Sequence, residues 1–127
     1  MTSPSAEKTW DEVARTHRSQ SGISVLDGRA RSLLCNQHKL GHYADEVCAD
    51  RILYRVTTNT PSKGVLALER MVGSQSSLVV FEKIAKNRWL DHGLWVVAQS
   101  APEEPDGRVF LLLPASQSPK TSSHLNT

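Results

Sequence analysis

The chain has 127 residues, 39% of them hydrophobic and 22% charged, with 15 lysines and arginines against 13 aspartates and glutamates and a formal net charge of +2. That length suits one domain with its own buried core; it excludes two large catalytic domains and, at this hydrophobic content, a wholly disordered chain. No apolar run approaches the roughly 18 residues of a membrane span, and the first seven residues lack the apolar region of a signal peptide, so a cytoplasmic protein without a membrane partner is expected.

In chain order, a helix is expected first, within residues 1–19. Ser5 can cap it, Glu7 adds charge to its first turn, and Trp10, Val13, Ala14 and His17 recur at helical spacing. Ser19-Gln20-Ser21-Gly22 ends it. Residues 23–26 suit a short strand, Asp27-Gly28 a turn, and residues 29–36 either a strand or a helical turn. The β-branched and aromatic run from Ile52 to Thr57 predicts a strand. Thr60 as N-cap and Pro61 at the first helical position start a helix. Val65, Leu68, Met71 and Val72 form its apolar stripe and Gly73 stops it. Residues 78–84, 93–98 and 108–113 read as strands. Lys86-Asn87-Arg88 makes a turn, and residues 102–107 an acidic connection with Asp106-Gly107 as its hairpin signal. From Pro114 onward the chain is polar and expected to be disordered.

The expected organisation is thus an N-terminal helix over 1–19, a folded domain over 20–113 and a tail over 114–127. The class is α+β: a curled sheet or small β-barrel with one or two flanking helices.

The charge is uneven. Residues 1–50 carry a net charge of −1 and residues 91–127 of −2, while 51–90 carry +5. That middle block holds Arg51, Arg55, Lys63, Arg70, Lys83, Lys86 and Arg88 against Glu69 and Glu82. A basic block between acidic flanks is the footprint of a polyanion-binding face, although a solvated surface of uneven charge gives the same pattern.

Cys35, His38, His42 and Cys48 form the one metal-like constellation, C-x2-H-x3-H-x5-C. Zinc takes such ligands, but structural sites usually pair them as C-x2-C. These residues therefore read as reduced cysteines and ordinary histidines, and no metal or other cofactor is expected. There is no Walker A loop, no G-x-G-x-x-G and no G-x-S-x-G elbow. The acidic pairs Asp11-Glu12 and Asp45-Glu46 lack the D…E-x-K arrangement of a metal-dependent nuclease. A binding module fits better than an enzyme.

An ordered set of segments runs through residues 41–98. His42-Tyr43-Ala44-Asp45-Glu46-Val47 comes first, then Arg51-Ile52-Leu53-Tyr54, then the helical segment from Lys63 to Leu68. A strand ending in Phe81-Glu82-Lys83 follows, and then Trp89-Leu90-Asp91-His92-Gly93-Leu94-Trp95-Val96-Val97. This order resembles the SET-and-RING-associated domain, SRA or YDG, as found in bacterial modification-dependent restriction proteins. The chain departs from that pattern after Tyr54, where Arg55-Val56 stand in place of a glycine, and at residues 58–62, where a Gly-Asp-Gln loop is common.

The resemblance implies a PUA-like fold that binds double-stranded DNA and flips a modified cytosine into a pocket. A flipped base needs flat apolar walls and a group that reads its edge. Tyr43, Tyr54 and Trp89 are the candidate walls, and Asp45 the candidate acceptor for an exocyclic amine. Arg51, Arg55, Lys63, Lys83, Lys86 and Arg88 are the candidate phosphate contacts. Cutting would fall to a separate nuclease or effector. One rival is a PUA-like amidohydrolase acting on a modified nucleobase, for which Lys63, Thr57 and Glu69 are the matching residue types. The other is an RNA- or protein-binding PUA-like module.

Overall fold

The computed structural model describes residues 6–19, 22–37, 44–57, 63–103 and 107–115. Among them the elements are β1 (Ala6–Lys8), α1 (Trp10–Ala14), β2 (Ile23–Leu26), β3 (Arg29–Cys35), β4 (Glu46–Val47), β5 (Ile52–Thr57), α2 (Lys63–Met71), β6 (Ser77–Ala85), β7 (Arg88–Glu103) and β8 (Gly107–Pro114). The strands join one curled sheet in the order β2-β3-β6-β7-β8-β5-β4, with β1 paired to β7 beside that path. β3 and β6 run parallel and the other pairings are antiparallel.

The N-terminus corrects the expectation of one helix over residues 1–19. Ala6–Lys8 pairs as a strand with Trp89, Leu90 and Asp91. That edge of β7 is open there because β8 reaches only as far as Trp95, opposite Pro114. Strand hydrogen bonds along a vacant edge outcompete a first helical turn. The helix that remains is five residues long, and Thr9 caps it rather than Ser5, which lies outside the described residues. Thr9 Oγ1 accepts from the Glu12 N–H at 3.4 Å while Glu12 Oε1 accepts from the Thr9 N–H at 2.9 Å, a capping box.

Residues 29–35, open between strand and helical turn on sequence, form a strand because β2 and β6 supply hydrogen-bond partners on both sides. α2 begins, within the described residues, at Lys63; the Thr60-Pro61 start lies outside them. Gly64, Val65, Ala67, Leu68 and Met71 are its buried face, whereas Val72 is exposed. The Gly73 N–H donates to the Val97 carbonyl at 3.1 Å, which ties the helix end to β7.

The sheet has two apolar sides. Inside the curl, Leu33, Ile52, Tyr54, Leu78, Val80, Trp95, Phe110 and Leu112 pack with α2. Outside it, Val13 of α1 covers Phe81 and Trp89, with Trp10, Leu34 and Val79 around them. No helix among the described residues is long and apolar enough to cross a membrane.

Candidate nucleic-acid interface

Where the two ends of the curled sheet approach each other, Gly22, Asn36, Asp45 and the pair Tyr54-Arg55 come together. Asp45 is 2% exposed. Its Oδ2 accepts from the Asn36 N–H at 2.8 Å and its Oδ1 from the Arg55 N–H at 2.9 Å. The Asp45 N–H donates to the Asn36 carbonyl at 3.3 Å. One carboxylate thus joins the end of β3 to the middle of β5. Charge-assisted bonds to backbone amides hold a buried carboxylate firmly in place.

Tyr54 lies beside it, 4% exposed. Burial pushes its phenol well above the ordinary range, and the neighbouring acidic groups of Cys35 and Asp45 add to the shift. Tyr54 is therefore a neutral phenol. Its hydroxyl sits close against Gly22: a Cβ on that glycine would lie 2.7 Å from Tyr54 Oη.

A second polar chain adjoins the first. Gln37 Oε1 accepts from the Val47 N–H at 3.3 Å, and Gln37 Nε2 donates to Glu82 Oε2 at 2.7 Å. His92 Nε2 and Glu82 Oε1 lie 2.8 Å apart, and Trp95 Nε1 donates to the His92 carbonyl at 2.9 Å. These residues escape sequence reading. Glu82, a buried charge in a strand of apolar residues, is the one that leaves a local hint.

The structure brings Asp45 and Tyr54 together but places Trp89 elsewhere. Trp89 is 8% exposed, on the outer side of the sheet against Val13, Phe81 and Trp10. Tyr43, His38 and His42 lie outside the described residues. Of the two cysteines in the metal-like constellation, Cys35 is buried and Cys48 exposed.

The basic candidates are spread over several elements. Arg51 is exposed, 4.0 Å from Asp50. Arg55 is committed to acids: its Nε donates to Glu103 at 3.0 Å and its Nη1 to Glu46 at 2.7 Å and to the Ala44 carbonyl at 3.0 Å. Burial alone would lower the Arg55 pKa, but Glu103 and Glu46 more than offset that and raise it. Lys63 is exposed at the start of α2. Lys83 and Lys86 border a shallow hollow beside Trp10 and Trp89. Arg88 is held by Glu7 at 2.6 Å. For the rival chemistry, Glu69 binds Arg108 Nε at 3.0 Å and Ser100 Oγ at 2.9 Å. Lys63 sits six residues earlier on the helix, about 9 Å along the axis, and the Thr57 side chain is outside the described set.

No family model and no curated protein matches the sequence. Solved structures do. The SUVH5 SRA domain in complex with hemi-methylated CG DNA has a TM-score of 0.68 and 25% identity, over 84% of this chain and 83% of that one. The fold is that of an SRA domain. The SUVH5 SRA domain bound to fully hydroxymethylated CG DNA gives the same TM-score at 22% identity, over 84% of each chain. Arabidopsis thaliana SUVH6 in complex with SAM gives 0.59 at 23% identity, over 76% of this chain and 21% of that far longer one. The likeness to an SRA domain therefore extends well beyond residues 41–98.

Proposed function

We propose that this SRA-like domain reads modified cytosine in double-stranded DNA. The observation that carries the reading is the match, over more than four fifths of both chains, to the SUVH5 SRA domain in complex with hemi-methylated CG DNA. The closure centre supports it. Asp45 is an acceptor fixed by two backbone amides, beside the neutral ring of Tyr54. A carboxylate oxygen accepts from more than one donor, so the exocyclic amine of a flipped cytosine can be read there. Tyr43, two residues before Asp45, is the candidate stacking ring. Trp89, on the outer side of the sheet, takes no part in this pocket. The domain acts as a specificity module in the cytoplasm, with cleavage assigned to a separate nuclease or effector, as the resemblance to restriction proteins implies.

Affinity for duplexes that differ only in one cytosine modification tests the reading. A preference of tenfold or more, equivalent to about 1.4 kcal/mol, is expected. Equal affinity for all duplexes sinks it.

A further inference from the structure

A groove of about 740 Å3 opens beside the chain leaving α1. Arg15 and Arg18 reach it from that segment, and Arg29 and Arg31 from β3. All four are exposed. Among the described residues, none of their side chains has a carboxylate within 4.0 Å, whereas Arg55, Arg88 and Arg108 each hold one at 3.0 Å or less. Of the acids nearest in sequence, Glu12 feels the charge of Arg15 without reaching ion-pair distance. Glu12 accepts from the Thr9 N–H in the capping box, and Asp27 stands in the β2–β3 turn without an ion pair among the described residues.

The four charges are positioned by the fold. Arg29 and Arg31 are both exposed and both line the groove from β3, where Arg31 is the extra residue of a bulge: Val25 pairs with Ala30 and Ser24 with Ser32. His17, between Thr16 and Arg18, is 1% exposed, and its Nδ1 lies 2.7 Å from Ser32 Oγ. That buried bond pins the segment carrying Arg15 and Arg18 onto the strand carrying Arg29 and Arg31. Four like charges gathered this way repel one another, a cost to the folded state that a bound polyanion removes.

Among the described residues no aromatic ring lines the groove, so these offer bases no stacking surface. The groove offers guanidinium groups, the usual donors to phosphate oxygens, with Ser24 and Ser77 also among its lining residues. β3 runs from this groove to Asn36 at the closure centre, five to seven residues away and on the order of 17–23 Å along the strand. We infer that the groove is a sequence-independent phosphate-binding site for DNA, distinct from the centre that reads the base. The inference rests on the reading above only in taking DNA as the ligand.

The test is the salt dependence of binding to a short duplex, with and without the modified cytosine. Removing one phosphate contact makes the slope of log affinity against log salt shallower by about 0.9. For the R29A/R31A variant the slope is therefore expected to become shallower by about 1.8, and binding to both duplexes to weaken by the same factor. R29K/R31K keeps the slope. R15A/R18A, changed on another segment, reproduces the fall and guards against a local folding defect. An unchanged slope in both alanine variants overturns the inference. So does a variant that loses affinity for poly-glutamate but not for duplex, which assigns the groove to an acidic protein. If the unaltered protein shows no preference for the modified duplex, the reading of modified cytosine fails, while the slopes still decide the groove.

Discussion

Trp89 and Trp95 stand six residues apart on one strand and face opposite sides of the sheet. In a regular strand an even separation puts two residues on the same side. The register shows the break: Phe81 pairs with Asp91, and Val79 with Leu94, so His92 and Gly93 together oppose Val80. The extra residue is a β-bulge, which reverses the alternation beyond it. Trp89 thereby stacks against Trp10 on the outside, ring centroids 5.5 Å apart, and Trp95 enters the interior core.

Gly93 makes the bulge with φ at 78°, and a Cβ there would meet nothing within 4 Å. The cost of Gly93→Ala therefore comes from backbone conformation alone, about 1–2 kcal/mol. A lower urea midpoint with an unchanged denaturant slope is the expected result. An unaltered midpoint would show that the bulge relaxes freely.

Gly22→Ala is expected to destabilise by about 1–3 kcal/mol, since the new methyl would sit 2.7 Å from Tyr54 Oη in a packed interior. Tyr54→Phe removes that oxygen and leaves Cζ at 3.9 Å, an ordinary contact. A double-mutant cycle should therefore show Gly22→Ala costing less in the Tyr54→Phe background. Strict additivity would refute the close approach.

Asp45→Asn keeps one acceptor oxygen but turns an NH2 group toward the other backbone amide. Leaving one buried N–H unsatisfied costs about 1–3 kcal/mol, and Asp45→Ala strands the N–H groups of both Asn36 and Arg55. Chemical denaturation reads the difference, with Asp45→Ala expected to be the less stable of the two. Binding by either variant has to be compared at equal folded fraction, because Asp45 joins the sheet ends as well as being the candidate base reader.

Acid should loosen the N-terminus. Glu7 is held below its ordinary value of 4.5 by its hydrogen bond to Arg88, and Glu12 by the Thr9 N–H. A carboxyl depressed in the folded state stabilises above its unfolded pKa, and that contribution fades as pH falls through the folded value. β1 and α1 are therefore expected to release from β7 below about pH 4.5, with a red shift in emission from Trp10 and Trp89. A Glu7→Gln, Glu12→Gln double variant should lack this acid step.

The elements at Ile52–Thr57, Lys63–Met71, Ser77–Ala85 and Gly107–Pro114 were legible in the sequence, to within two or three residues at their ends. β-branched runs, a 3.6-residue stripe and turn residues act over a few neighbours, and nothing distant overrides them. The order of segments through residues 41–98 was enough to resemble an SRA domain, and the solved structures extend that likeness over most of the chain. Asp45 and Tyr54 were legible as residue types. Their meeting was not, because it depends on the backbone of Asn36 and on Gly22, brought in by the curl of the sheet.

By itself, then, the sequence determined most of the elements from Ile52 onward, the fold class and two candidate site residues. The tertiary structure alone decided what depends on distant partners. Residues 6–8 become a strand because β7 has a vacant edge more than 80 residues on. Trp89 and Trp95 lie on opposite sides of the sheet because one inserted residue reverses a strand's alternation. The block of +5 is spread over several elements and partly neutralised by acids, while four arginines from a segment of net charge −1 converge on one groove. Charge sums along a chain ignore direction, and strand pairing is what gives each side chain its face and its neighbours.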